Sequence, residues 1–261
     1  MPDSEMLRAL YESSSYLDSS YKPPQSTEIF RITELIGSCL ALLLGERSNW
    51  RSSSARFLDY GCGDGTVLRA LQTHFPEVEL LGVEFDDGAA RFASVTSGIT
   101  VVSSDALCFS KYKDRFTAIH LGDVLEHIEN PRKLLDECLS CLVPGGFLIV
   151  RGPIESNSSL VFYISALWGW LGHLTDSKRA RPGIPYHLYR ATRSGMLALV
   201  TSIAGQVKVV STHVYDDGWP YILQTFPRRL VGKASVFISR ALAIFGVECG
   251  NRIQIILRRE Y

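Results

Sequence analysis

The sequence predicts an α/β fold: a mostly parallel sheet of seven strands with helices on both faces and helical insertions that form a lid. Two observations carry that expectation. Short apolar runs alternate with amphipathic stretches from Arg56 to Arg151, the pattern of successive strand and helix units. The first run, Phe57-Leu58, ends in the carboxylate of Asp59 and turns at once through Gly61, Gly63 and Gly65. A strand feeds a ligand loop in this way, because glycine lets main chain approach where a β-carbon would intrude. At 261 residues and 46% hydrophobic content the chain can bury a large core, so one domain with additions is expected.

Residues 1–50 read as an arm, with Ser13-Ser14-Ser15 and Pro23-Pro24, followed by a helix over Gln25–Leu44. In that helix Ile29, Ile32, Leu35, Ile36, Cys39, Leu40 and Leu43 recur at helical spacing until Gly45. Residues 51–261 form the main unit. Strands are expected at Arg56–Tyr60, Val78–Val83 and Ile99–Val102, a helix opens at Thr66, and a fourth strand closes near His120-Leu121-Gly122. Asn130-Pro131 begins a helix to about Leu142, since proline suits a first helical turn, and Gly146–Val150 is a buried fifth strand. The alternation then breaks into an insertion at about 152–190, whose apolar run Leu160–Leu171 holds Trp168 and Trp170. Thr192–Ala204 resumes the fold as a helix, and Gln206–Ser211 and Arg252–Leu257 are the last two strands.

A second insertion covers about 213–249. Its Arg228–Phe245 portion reads as a helix carrying Leu230, Val231, Val236, Phe237, Ile238, Ala241, Leu242 and Ile244 among Arg228, Arg229, Lys233 and Arg240. That composition suits a packed lid or peripheral contact with a membrane, and packing is the simpler reading. Neither insertion has the roughly 18 to 20 uninterrupted apolar residues that a bilayer span requires.

Glycine spacing selects the ligand. A dinucleotide fingerprint has its third glycine three residues after the second, where this chain has Thr66. Asp59, Gly61, Gly63 and Gly65 instead resemble the first motif of class I S-adenosylmethionine (SAM)-dependent methyltransferases. Further segments agree in family order: Glu84 after the second strand, Ser103-Ser104-Asp105-Ala106-Leu107 after the third, His120 to His127 closing the fourth, and Leu142-Val143-Pro144-Gly145-Gly146-Phe147 at the fifth. The resemblance is close over residues 55–152. Asp123-Val124-Leu125-Glu126-His127 and Pro144-Gly145-Gly146 are most similar to the small-molecule group that includes ubiquinone-type O-methyltransferases. It implies a Rossmann-like sheet and SAM as cofactor, contacted by Asp59, Gly61, Cys62, Gly63, Gly65, Glu84, Phe85, Asp105, Ala106 and Gly122. Glu84 would take the ribose hydroxyls and Asp105 the adenine amino group. The donor's chemistry agrees, since a sulfonium, a ribose diol and amino groups call for carboxylates and little cationic charge beside the sulfur. Asp64 and Asp86 read as cap or loop acids.

Methyl transfer demands alignment and exclusion of water, and a hydroxyl or ammonium acceptor adds a base, for which histidine suits neutral pH. His127, beyond the fourth strand, and His187, in Pro185-Tyr186-His187-Leu188-Tyr189, are the catalytic candidates. Phe162, Trp168, Trp170, Trp219 and Tyr221 are candidates to line a pocket for a partly apolar acceptor. The expected activity is methyl transfer, at oxygen, to a small or medium organic acceptor of lipid-like or glycosidic character. The alternative is a methyltransferase-fold SAM-binding protein without turnover, acting as scaffold or regulator.

Lys plus Arg and Asp plus Glu number 27 each, so no general basic field attracts nucleic acid. Met-Pro-Asp-Ser-Glu at the start lacks the basic and apolar regions of a secretory signal, which points to the cytoplasm. Cysteines 39, 62, 108, 138, 141 and 249 are then expected as reduced thiols. Cys138 and Cys141 form a lone CxxC without a second pair, and no clustered oxygen ligands are visible, so no metal is expected. Nothing in the sequence fixes the oligomeric state.

Overall fold

A computed structural model describes residues 29, 32–39, 55–85, 87–155, 157–173, 187–203, 207–219 and 221–260, with the side chains of 168–173 and 223 outside the description. The strands are β1 (Arg56–Tyr60), β2 (Glu79–Glu84), β3 (Val101–Ser103), β4 (Phe116–Gly122), β5 (Leu142–Pro153), β6 (Val207–Tyr215) and β7 (Arg252–Arg259). They form one sheet in the order β3-β2-β1-β4-β5-β7-β6. Strands β1 to β5 run parallel, and β7 is antiparallel to both β5 and β6. The helices are α1 (Thr66–His74), α2 (Asp87–Ser97), α3 (Pro131–Cys141), α4 (Leu160–His173), α5 (Arg193–Thr201) and α6 (Arg228–Ile244). This is the expected Rossmann-like α/β sheet.

Successive residues of a strand face opposite sides, so a sheet covered on both faces buries consecutive apolar residues. Phe57, Ala118, Phe147, Ile149 and Ile256 pack with Val67, Leu68 and Leu71 of α1 and with Ile32 and Ile36 of the helical residues 32–39. Leu58, Ile119, Leu121, Leu148 and Val150 pack on the other side with Leu135, Cys138 and Leu139 of α3 and Met196 and Val200 of α5. The arm and the ends of the expected helix over Gln25–Leu44 lie outside the described residues.

Local chemistry sets most boundaries. Helix α3 starts where expected, with Asn130 Oδ1 accepting from Lys133 N at 3.0 Å and Pro131 in the first turn. Thr192 Oγ1 caps α5 by accepting from Gly195 N at 3.0 Å. Strand β5 is longer than expected. Its register to β4 jumps between Phe116↔Leu142 and Ala118↔Phe147, and the Pro144-Gly145-Gly146 segment occupies that irregularity. Strand β6 runs four residues past Ser211 to Tyr215 because β7 pairs with it throughout. Strand β6 thus runs three residues into the span expected as the second insertion, 213–249, and β5 runs two residues into the first. No helix among the described residues is long and apolar enough to cross a membrane.

Candidate active site

The carboxyl ends of parallel strands collect the loops that bind ligands in open α/β sheets, and the expected cofactor residues lie there. Leaving β1, Gly61 and Gly65 have φ of +78° and +74°. A β-carbon at Gly61 would lie 2.4 Å from Val124 Cγ2, and one at Gly65 2.7 Å from Ser97 Cβ. Both positions thus require glycine for conformation and for space. The loop is tied to β2: Gly61 N and Cys62 N donate to Val83 O at 2.8 and 3.0 Å. Glu84 then clamps two loops, its Oε2 accepting from Gly63 N at 2.7 Å and its Oε1 from Phe85 N at 2.9 Å. Ser104 joins the third loop, donating from N to Glu84 O at 2.8 Å and from Oγ to Phe85 O at 3.0 Å. Asp105 and Ala106 lie exposed in that turn. Asp64 Oδ1 accepts from Thr66 N at 2.9 Å, a loop acid as expected, while Asp86 lies outside the described residues. Burial, then the Asp59 carboxylate, pushes the Cys62 thiol up, so Cys62 packs as a neutral group.

Asp59, expected at the cofactor, pairs within the sheet. It is 2% exposed and stands opposite His120 in the register of β1 and β4. Its Oδ1 lies 2.8 Å from His120 Nδ1, and since a carboxylate only accepts, that nitrogen carries the proton. The acid is committed beneath the glycine loop because its strand neighbour supplies the donor. The sequence reading missed His120, whose ring is also why position 122 is glycine: a β-carbon there would lie 2.6 Å from His120 Cε1.

Beyond β4, the 3-10 turn Leu125–His127 buries Glu126, which is 3% exposed. Leu188 N donates to Glu126 O at 2.7 Å and draws the end of the first insertion onto this turn. His127 and His187, predicted separately, thereby meet with ring centroids 5.0 Å apart, edge to face. His187 Nδ1 lies 2.8 Å from Glu155 Oε1, and His127 Nε2 lies 4.0 Å from Glu126 Oε1. Donor atoms of Glu126, His127 and His187 all fall within 4.8 Å of one another, close enough to share a proton or hold a cation. No metal set was visible from spacing, because His187 is remote in sequence. Glu126 and Glu155 were also missed. Of the expected aromatic lining, Trp219 is exposed, Phe162 is half-buried, Tyr221 is buried and accepts from Ser165 Oγ at 3.1 Å, and the side chains of Trp168 and Trp170 are outside the description.

Burial, reinforced by the Asp123 carboxylate, pushes the Glu126 carboxyl up to about 8. Desolvation of Asp123 acts in the same direction, but the Arg252 guanidinium, whose NH2 donates to Asp123 Oδ2 at 2.6 Å, outweighs it and holds that carboxyl below the ordinary range. A raised folded value fixes the sign of the linkage. Above the ordinary glutamate range the unfolded chain releases this proton while the folded protein keeps it, so stability falls as pH rises to about 8. The limiting slope for one proton is about 1.4 kcal/mol per pH unit. Glu126→Gln should flatten that part of a denaturant-midpoint profile against pH, and an unaltered slope would remove Glu126 from this account.

The chain's residues fit SAM. A cradle of bare main chain at Gly61 and Gly65 adjoins a carboxylate, Glu84, oriented by backbone donors. The segments 59–65, 84–85, 103–106 and 122–127 contain six carboxylates and no Lys or Arg, as a sulfonium requires. Glu84→Ala should weaken SAM binding by about 1.5–3 kcal/mol, roughly ten- to 150-fold, the range for hydrogen bonds to a charged group. Calorimetric titration measures this, and an unchanged affinity would place Glu84 outside the site.

Known proteins extend the picture. A family model described as a methyltransferase domain matches residues 32–191, well over half of the chain. The ubiquinone biosynthesis O-methyltransferase of Xylella fastidiosa (strain M23) is 33% identical over 123 residues, covering 45% of this chain and 48% of its own. That of Paraburkholderia phymatum is 28% identical over 130 residues, covering 45% and 55%. The chain spans about half the length of the curated relatives it matches. Among solved structures, the plantazolicin methyltransferase BpumL, in complex with a triazolic desmethylPZN analogue and SAH, has a TM-score of 0.53 at 14% identity, over 99% of this chain and 92% of its own. The [4+2]-cyclase SpnF has a TM-score of 0.52 at 15% identity, over 92% and 85%. Likeness at that level is likeness of fold. With the family match, the strand order and the glycine loop in agreement, the chain belongs to the methyltransferase domain family and has the class I SAM-dependent architecture.

Proposed function

We propose that this chain transfers a methyl group from SAM to an oxygen of a small or medium, partly apolar organic acceptor, with His187 and His127 handling the acceptor's proton. The observation that supports it is the meeting of both histidines with Glu126 at the carboxyl end of β4, on the same sheet edge as the glycine loop and Glu84. Residues 61–65, Glu84, Phe85 and the turn at 104–106 would hold the cofactor. When bound, SAM supplies an electrophilic methyl on a positive sulfur. The protein's task is then to align the acceptor and take its proton. Glu155 accepts from His187 Nδ1, so the neutral ring has Nε2 as its basic atom, and the same carboxylate stabilises the ring once protonated. The relatives named as O-methyltransferases support oxygen as the receiving atom. Fold alone does not select a reaction, as a neighbour named a cyclase illustrates.

The test is a panel assay with the purified chain and SAM, offering phenols and catechols with hydrocarbon tails beside amines and carboxylic acids, and reading demethylated cofactor and methylated product. Ether formation on a hydroxyl acceptor is the expected outcome. Turnover confined to amines would reject oxygen, and tight SAM binding without turnover across the panel would favour a binding protein.

A further inference from the structure

Helix α6 is built inside out. Its buried residues are Gly232, Ser235 and Ser239. A β-carbon at Gly232 would lie 2.5 Å from Ile222 N. Ser235 Oγ donates to Asp216 Oδ2 at 2.7 Å, and Ser239 Oγ donates to Cys249 O at 2.6 Å. This small, polar edge brings α6 close against the 3-10 turn Tyr221–Leu223 and against α4. Several large apolar residues point away. Leu230, Phe237 and Ile244 are 59%, 72% and 82% exposed, and their seven-residue spacing makes one stripe along the helix opposite the buried face. Phe226 before the helix and Phe245 after it are each 81% exposed. Leu230, Phe237 and Ile244 thus do not contribute to the packing expected of this helix, whereas Val231, Val236 and Leu242 are half-buried.

Charge identifies what the stripe meets. Arg229, Lys233 and Arg240 lie along one flank of it at helical spacing, Arg228 precedes them, and no Asp or Glu occurs from 218 to 247. Apolar side chains flanked by cations whose long stems can reach upward are the composition of a helix lying in the headgroup region of an anionic bilayer. A second copy of this chain would instead set the same cations against one another. We propose that α6, with Phe226 and Phe245 at its ends, docks this protein peripherally on an anionic phospholipid surface. Leu230, Phe237 and Ile244 enter the boundary between headgroups and acyl chains, and Arg228, Arg229, Lys233 and Arg240 meet the phosphates. Tyr163 and Leu167 of the adjoining α4 are exposed as well. The docking does not depend on which acceptor is methylated.

The test is co-sedimentation of the full chain with vesicles of phosphatidylcholine alone and of phosphatidylcholine mixed with phosphatidylglycerol. Binding to the mixed vesicles is expected, falling as salt is raised and weak on phosphatidylcholine alone. The double variant Phe237→Ser, Ile244→Ser should lose at least about tenfold in vesicle affinity, with its melting temperature and SAM affinity unchanged to show that the fold persists. Three results would overturn the docking: folded, SAM-binding protein that ignores anionic vesicles; a double variant that binds them equally well; or a dimer that these substitutions dissociate.

Discussion

Asp59→Ala should lower the free energy of unfolding by about 3 kcal/mol, the upper end of the range for leaving a buried hydrogen-bonding group without its partner. Asp59 and His120 are both nearly inaccessible, and the aspartate accepts from the ring at 2.8 Å. His120 Nε2 is buried and has no hydrogen-bond partner among the described residues. Without Asp59 the imidazole would have both nitrogens unpaired in the core, where an unmade hydrogen bond is costly. For a domain of this size the change corresponds to a fall in melting temperature on the order of 10 °C. Asp59→Asn separates pairing from charge, because its amide oxygen can still accept from Nδ1 and should restore part of the loss. SAM affinity should fall with Asp59→Ala as well, since the glycine loop begins two residues later. A variant melting within a degree of the parent would show that the pair holds nothing together.

For His187→Gln, the expected result is a kcat lower by about two to four orders of magnitude on a hydroxyl acceptor, the usual contribution of a positioned base. SAM affinity should not move, because this histidine lies with Glu155 and Glu126 rather than with Glu84. His127→Gln should lower kcat as well through loss of the edge-to-face neighbour, and Glu155→Gln should give a smaller loss because it removes only the group that orients the ring. Single-turnover rates with saturating SAM are the measurement. Unaltered rates in both histidine variants would end their candidacy as proton carriers.

What could be read from the chain beforehand follows how local each determinant is. The glycine loop was legible because left-handed backbone and close approach are demands met by residue type at the position itself, as at Gly61 and Gly65. The start of α3 was legible for the same reason, with cap and proline adjacent. Strand β6 was cut short at Ser211 because Thr212 and His213 are polar, whereas the partner that keeps them extended, β7, arrives some forty residues later. Asp59 and His120 are 61 residues apart and meet only through the register of two parallel strands. Glu126 and His187 meet only because an insertion that leaves β5 returns to the turn after β4, through the Leu188 amide. The direction α6 faces was illegible in principle, since its periodicity permits either side to be buried and the choice fell to Gly232 and two serines.

The placement of charge on α6 also acts at a distance. Four of the chain's 27 cations fall within 218–247, where there is no carboxylate, leaving 23 cations against 27 carboxylates elsewhere. The cations of this segment therefore attract a negative surface before any contact, within roughly 8–10 Å at ordinary ionic strength. Arrival would lead with α6, and dilute buffer would favour it over concentrated salt.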